Sequence, residues 1–292
     1  MTTVHLLTNP AARTGAAAAE VDDIRRLFAQ HDATVVDLAG DDAQASAALV
    51  RRAVDEGAER LVVCGGDGLV HLAIQAAAQT PTVVGICPMG TGNDFARGVG
   101  IETDGEQAAA GALGPPTPID LMRIGDRWGA SVATAGFSVA VNKRANSMRF
   151  PRGPSRYSLA TLLELPRMHP TAYEISVDGE DYELLASVVT VANTSDFGGG
   201  MRITPAARPD DGLLDVTIVG AVGRLELLRW FRKVFDGSHL DHPMVTTLRG
   251  RAITLAAADT DVWADGEPVA ATPVTVEAVP GALLLAGVTL QA

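Results

Sequence analysis

The sequence predicts an α/β unit followed by a mostly antiparallel β unit, a sandwich. Three observations carry this. Short apolar runs alternate with alanine-rich stretches up to residue 125, two of those runs end in glycines, and closely spaced β-like runs follow Pro115-Pro116-Thr117-Pro118. The alternation is that of βαβ units, which imply a parallel sheet with helices on its faces.

Taken in order, Val4 to Thr8 reads as the first strand and Ala16 to Gln30 as the first helix. Val35 to Leu38 is the next strand, and Asp42 to Glu56 the next helix. Leu61 to Cys64 is a buried strand ending in glycines, a helix follows to Ala78, and Val83 to Cys87 is another strand. The proline run at 115–118 reads as a rigid connection, dividing the chain into 1–125 and 126–292, with a final strand able to return to the first part. Beyond it, Ala172 to Val177, Ala186 to Ala192, Leu214 to Val219, Ala252 to Ala256 and Pro273 to Ala278 read as strands. Val177-Asp178-Gly179-Glu180 reads as a hairpin turn, and helices are expected at Ser155 to Met168 and Arg224 to Phe235.

Bulk properties exclude several classes. Of the 292 residues 47% are hydrophobic and 20% charged, which suits a globular chain with a real core rather than a fibre or a disordered segment. The apolar stretch Ala282 to Leu290 is far short of the roughly 18 to 20 residues needed to span a bilayer, and no basic leader precedes an apolar core at the N-terminus. With Cys64 and Cys87 as its two cysteines, the chain reads as a reduced cytoplasmic protein. A net charge of −12 argues against nucleic acid as a partner. From Val139 to Leu163, however, the charged residues are Lys143, Arg144, Arg149, Arg152 and Arg156, with no acid among them.

Ligands of open α/β sheets sit at the carboxyl ends of strands, so the two glycine turns are the candidate site. Gly65-Gly66-Asp67-Gly68 joins a strand to a helix, where glycines admit an anion close to backbone N–H groups and the helix N-terminus favours phosphate. Asp67 beside phosphates makes sense if it holds Mg²⁺ or handles a proton. A tight structural turn would use the same glycines. Pro88-Met89-Gly90-Thr91-Gly92-Asn93-Asp94 repeats the logic, with Gly90 and Gly92 freeing the backbone, Thr91 or Asn93 able to cap the next helix, and a second carboxylate in Asp94. Neither turn is a P-loop or a dinucleotide fingerprint, and the six histidines show no metal-ligand spacing beyond His239 and His242.

Asn9-Pro10 after the first strand, GGDG at 65–68, PMGTGNDFAR at 88–97, Ile119-Asp120, GGGMRITPAARPDDGLLDV at 198–216 and Asp265-Gly266-Glu267 occur in this order. Together they resemble the diacylglycerol kinase catalytic superfamily, which includes bacterial lipid kinases and, more distantly, sphingosine kinases. The resemblance implies a three-layer, Rossmann-type nucleotide-binding domain like that of NAD kinase and phosphofructokinase, a C-terminal β-sandwich, and an active site between them. It implies ATP held by Asn9, Pro10 and Arg13 and by the turns carrying Gly65, Gly66, Gly68, Leu69, Gly90, Thr91, Gly92 and Asn93. Asp67, Asp94 and Asp120 would organise catalytic Mg²⁺, and Glu267, with Asp265 beside it, would take the proton of the acceptor. A structural Mg²⁺ would lie on the Asp211 side chain and the carbonyls of Arg208 and Leu213, although Asp210-Asp211-Gly212 is also an ordinary turn sequence. Where the family reads Thr, Asn and Glu after GGDG, this chain has Leu69, His71 and Leu72, and Leu69 has no hydroxyl for a phosphate.

The reading that follows is an ATP- and Mg²⁺-dependent phosphotransferase making phosphatidic acid from diacylglycerol, cytoplasmic and peripheral at the inner membrane face. Its rivals are a kinase of NAD or another soluble alcohol, and a nucleotide-binding regulator without turnover. Docking on an anionic membrane would use Lys143 to Arg156 with the helix from Tyr157, together with Arg229-Trp230-Phe231-Arg232-Lys233. Alternatively both helices pack on the sandwich with their arginines in water.

Overall fold

The computed structural model describes residues 2–9, 16–148, 150–151 and 155–290. Pro10, Arg13, Arg149 and Arg152, named above as nucleotide- or membrane-facing, lie outside the described residues.

The chain begins β1 (Thr2–Thr8), α1 (Ala16–Gln30), β2 (Ala33–Leu38), α2 (Ala43–Asp55), β3 (Arg60–Gly65), α3 (Asp67–Ala77), β4 (Val83–Pro88), α4 (Asp94–Gly98), α5 (Gly105–Ala112) and β5 (Pro116–Ile124). It continues β6 (Arg127–Gly129), β7 (Val132–Gly136), α6 (Phe137–Ser147), α7 (Ser155–Glu164), β8 (Thr171–Val177), β9 (Glu180–Ala192), β10 (Leu214–Gly220) and α8 (Arg224–Trp230). β11 (Val245–Gly250), β12 (Ala252–Ala256), β13 (Asp261–Ala264), β14 (Glu267–Ala271) and β15 (Val274–Ala286) complete it.

Two compact units form, one of residues 1–120 with 280–292, the other of residues 121–279. In the first, parallel pairings give the order β15-β4-β3-β1-β2. β3 and β4 lie at its centre and are buried almost throughout, which is why Leu61 to Cys64 and Val83 to Cys87 read as continuous apolar runs. α1 lays Val21, Ile24 and Phe28 on Val4, Leu6 and Val62, the spacing that turns one helical stripe onto a sheet. Asp42 caps α2 through the Ala45 N–H at 2.7 Å, and Asp104 caps α5 through Gln107 at 3.1 Å. Cys64 and Cys87 are register partners, free and buried; their mutual hydrogen bond and burial push the Cys64 thiol up.

The second unit is antiparallel. β14-β13-β7-β9-β8-β12 ends on the first half of β15, and β10 joins β9 to β11. Tyr173, Ile175, Val189, Val191, Val216, Ile218, Ile253 and Leu255 form its core. The β8–β9 turn closes with Val177 opposite Glu180 and positive φ at Asp178 (50°) and Gly179 (90°), the mirror-image turn whose twist suits a two-residue hairpin.

Several expectations are corrected. The proline run is not a linker: β5 begins at Pro116, because proline's φ is compatible with an extended strand at its first residues. The compact units divide at Asp120/Leu121, within a few residues of the expected boundary, and the second ends at Val279 because β15 continues past its proline and pairs Leu284 with Val83 of β4, the final strand that the sequence allowed to return to the first part. The helix expected to Met168 stops at Glu164 and tightens into a 3₁₀ turn at Leu165–Arg167 around Pro166. That expected to Phe235 ends at Trp230, followed by a 3₁₀ turn at Phe231–Val234. Helix α6, which overlaps the start of the basic stretch, was not foreseen; its apolar stripe Phe137, Val141 and Ala145 is short, with Lys143 and Arg144 between.

Candidate active site

At the carboxyl end of β3 the chain turns into α3 without an intervening loop: Gly66 is the N-cap, with no side chain capping the first turn, and Asp67 is the first helical residue. At the end of β4 a loop runs from Met89 to α4, tied back by the Met89 N–H on the Gly65 carbonyl at 3.0 Å. The two turns press together so closely that a Cβ on Gly90 would stand 2.5 Å from the Gly66 Cα, and one on Gly66 would stand 3.1 Å from the Gly90 Cα. Glycine is therefore required by close approach and not by φ, which is −98° at Gly66.

Asn93 does not cap α4, as its sequence position suggests. It sits in the left-handed region at φ 54° and closes the loop instead, accepting from the Gly90 N–H at 3.0 Å and donating to the Gly90 carbonyl at 2.9 Å. The cap comes from the other turn, since Asp67 Oδ1 accepts the Phe95 N–H at 3.3 Å. Asp67 thus joins the two strand ends. Its second oxygen faces Gly92, where a Cβ would come within 2.6 Å of Asp67 Oδ2 and 3.8 Å of Asp94 Oδ2. The absent side chain of Gly92 lets the Asp67 carboxylate lie against the loop, with an Asp94 oxygen on the same side; carboxylate oxygens are the hard donors Mg²⁺ prefers. Asp94 is turned by Arg97, which pairs with its Oδ1 and also donates to the Gly92 carbonyl.

Other expected residues have different surroundings. Asn9 is exposed at the end of β1, one residue beyond the Thr8–Cys64 register pair, so it is near the first glycine turn; Thr91 is exposed on the second. Leu69 packs its side chain on Gly65, where a Cβ would meet Leu69 Cδ2 at 2.8 Å, while His71 and Leu72 are half-buried on α3. The departure from the family pattern thus puts hydrocarbon over the backbone beside the turn. Asp120 is buried and accepts the Gly281 N–H at 2.8 Å. Among the described residues no three acids, histidines or cysteines stand close enough to hold a metal, so Asp67, Asp94 and Asp120 are not a three-carboxylate centre.

In the second unit, Glu267 opens β14 opposite Ala264, exposed and with no hydrogen-bond or ion-pair partner among the described residues. Asp265, placed beside it in the sequence, has a different part: its carboxylate accepts the N–H groups of Ala130 at 2.7 Å and Ser131 at 2.8 Å. Asn146 donates to the Gly266 carbonyl at 3.0 Å. The turn that presents Glu267 is thereby fastened from two sides.

The expected structural Mg²⁺ does not fit the donors present at Asp211. One Asp211 oxygen accepts the Leu213 N–H at 3.0 Å, and the other pairs with the Arg249 guanidinium. Arg249 also stands 3.5 Å from Asp215, whose carboxyl is pushed up by burial. Arg208 turns its guanidinium to Asp210 at 3.1 and 3.2 Å. A guanidinium fills the cationic role in this loop, and no spacing rule links Arg249 to Asp211 in the sequence.

Comparison with known proteins gives a consistent picture. A family profile described as the diacylglycerol kinase catalytic domain matches residues 3–124, and one described as the YegS C-terminal NAD kinase beta sandwich-like domain matches residues 131–287. The chain is 38% identical over 289 residues to a protein of Mycobacterium tuberculosis (strain CDC 1551 / Oshkosh) named diacylglycerol kinase, covering 96% of this chain and 93% of that one. It is 30% identical to a protein of Stenotrophomonas maltophilia (strain K279a) named as a YegS-like lipid kinase, covering 80% of each chain. In fold it is similar to the crystal structure of a diacylglycerol kinase from Bacillus anthracis strain Sterne, with a TM-score of 0.75 at 19% identity over 98% of this chain and 97% of that one.

Proposed function

The chain belongs to the diacylglycerol kinase and YegS-like lipid kinase family, a family of phosphotransferases, and from that premise we propose that it transfers the γ-phosphoryl group of ATP, with Mg²⁺, to the hydroxyl of diacylglycerol, giving phosphatidic acid. The observation that carries this reading is the pair of interlocked glycine turns, with Asp67 and Asp94 brought together at Gly92.

Phosphoryl transfer asks little covalent chemistry of a protein and much positioning. The uncapped first turn of α3 suits phosphate oxygens, and the Gly66–Gly90 approach lets two stretches of backbone come near them. Mg²⁺ held on Asp67 and Asp94 would offset the charge that develops on the phosphoryl oxygens. Asp67 has a second task that needs no metal: its bond to the Phe95 N–H keeps the two turns in register. Glu267, exposed and unpartnered among the described residues, takes the proton of the attacking hydroxyl as general base. Asp265 holds the turn so that this carboxylate is presented from a fixed strand end.

A membrane acceptor implies peripheral contact with a bilayer at its cytoplasmic face, and no helix among the described residues is long and apolar enough to cross one. Leu69 on Gly65 favours the rival of a nucleotide-binding regulator, because it removes a hydroxyl from the phosphate side. The test is transfer of labelled γ-phosphate to diacylglycerol, ceramide, a sphingoid base and NAD in parallel, with wild type, Asp67→Ala and Glu267→Gln. Labelled phosphatidic acid from wild type alone is the expected result. Label in NAD, or ATP binding with no product from any acceptor, would overturn the reading.

A further inference from the structure

Helix α8 and the 3₁₀ turn after it contain Leu225, Leu227, Leu228, Trp230, Phe231 and Val234, yet none of their residues is buried. The segment has two faces. Leu227, Trp230, Phe231 and Val234 are half-buried and roof an apolar cavity of about 60 Å³ over Val219 and Val245. Leu225, Leu228, Arg229, Arg232 and Phe235 recur at three- and four-residue spacing on the opposite side. Leu225 is 70% exposed, Leu228 39% and Phe235 38%, an expensive display unless something covers it.

The charges indicate what covers it. Arg229 and Arg232 have no ion pair among the described residues. The segment's acid, Glu226, is drawn to His242 Nε2 at 3.1 Å and to the Gly223 N–H at 3.4 Å. The next acid, Asp236, is held by Ser238 through its N–H at 2.9 Å and its hydroxyl at 2.6 Å. Lys233 lies over the Trp230 ring at 3.5 Å, keeping a cation beside an aromatic. By contrast, two cations of the basic stretch at 139–163 are already matched: Lys143 bonds Asp261 at 2.7 Å and Arg144 bonds Glu164 at 2.6 Å. In a chain of net charge −12, an outward face of leucine, phenylalanine and unmatched arginine is complementary to an anionic lipid surface.

We propose that the outward face of residues 224–235, through Leu225, Leu228, Arg229, Arg232 and Phe235, is the surface by which this protein docks on anionic bilayers. The inference rests on the reading of the acceptor as a membrane lipid, and the experiment separates the two. Full-length wild type, Arg229→Glu/Arg232→Glu and Leu225→Ser/Leu228→Ser are sedimented with vesicles of phosphatidylcholine alone and of phosphatidylcholine with phosphatidylglycerol. The same proteins are assayed on a dispersed short-chain diacylglycerol, and melting curves confirm that the exposed substitutions leave the fold intact. Wild type binds the anionic vesicles with an affinity that falls as salt rises. The arginine pair loses on the order of 25-fold or more, since each cation near an anionic leaflet contributes about fivefold. The leucine pair loses binding as well, and short-chain turnover is unchanged in both. Vesicle binding equal to wild type in both variants overturns the proposal, as does a wild-type dimer that Leu225→Ser/Leu228→Ser dissociates. Binding lost in the variants while wild type phosphorylates no lipid keeps the docking face and rejects the lipid-kinase reading.

Discussion

Asp-Gly pairs in the two units look alike as sequence and differ in where the fold sets their carboxylates. Asp178, Asp211 and Asp265 in the second unit are filled: Asp178 by the N–H groups of Arg251 and Ala252, which hold its carboxyl below the usual range, Asp211 by Leu213 and Arg249, and Asp265 by Ala130 and Ser131. Asp67 in the first unit gives one oxygen to the Phe95 N–H and lays the other against Gly92, between two glycine turns at strand ends. A carboxylate bonded to the backbone and guanidinium donors of a β loop fixes that loop; one set between glycine turns at strand ends, beside a helix N-terminus, lies where ligands of open α/β sheets bind. The difference separates loop staples from candidate chemistry more sharply than the motif does.

The largest effect that can break this comparison is at Asp67. Asp67→Asn is expected to lower transfer on the order of 10³-fold, combining a lost anionic ligand with a weakened cap on Phe95. If kcat falls less than tenfold while Asp265→Asn abolishes it, the assignment of the two aspartates is reversed. Asp265→Asn instead exchanges two charge-assisted bonds for weaker ones and lets the Glu267 turn loosen. Its kcat should fall on the order of tenfold with nucleotide affinity unchanged, as titration calorimetry with ATP would read.

Gly90→Ala probes the interlock without touching a carboxylate. The new methyl must displace the Gly66 backbone, costing about 1–3 kcal/mol of stability in urea unfolding and weakening nucleotide binding. Arg249→Met leaves Asp211 and Asp215 without their counter-charge and, because Arg249 is partly exposed, costs about 1 kcal/mol. Chelation should leave the melting temperature of the nucleotide-free wild type unmoved. A fall on chelation would mean that a metal, not the arginine, holds this loop.

The smallest effect concerns pH. His239 is buried, its Nε2 on the Ile203 carbonyl at 3.1 Å, and burial lowers its pKa despite that bond. The groups facing it are the Lys233 backbone, Asp236 and the Ile203 carbonyl. Because the unfolded chain binds the proton more readily, stability is level above about pH 6.5 and declines below it toward the folded pKa. His239→Gln should flatten that decline in urea midpoints compared at neutral and mildly acid pH.

Much of the fold was legible because its signals are local. Continuous apolar runs marked β3 and β4, Asp42 marked the start of α2, and Asp178-Gly179 marked a hairpin that the structure closes with the expected backbone. What escaped depends on distant partners. Pro116 reads as a break until β5 has partners in β6 and β15, and β15 reads as shorter until β4 receives its far end. Within the candidate site, composition and strand ends pointed to the glycine turns and their aspartates. Asn93 closing its own loop, Asp67 capping the helix of the other turn, and Arg249 answering Asp211 are relations between residues up to 38 positions apart. No periodicity records such pairs.

In the proposed reaction Asp67 serves the nucleotide and its metal, and Glu267 serves the acceptor hydroxyl. The most direct test is the dependence of labelled γ-phosphate transfer to diacylglycerol on free Mg²⁺, in wild type, Asp67→Asn and Glu267→Gln. The account predicts that Asp67→Asn raises the Mg²⁺ concentration needed for half-maximal transfer, while Glu267→Gln keeps the wild-type requirement and lowers the maximum on the order of 10²-fold. An unchanged Mg²⁺ requirement in Asp67→Asn, or a shifted one in Glu267→Gln, would contradict it.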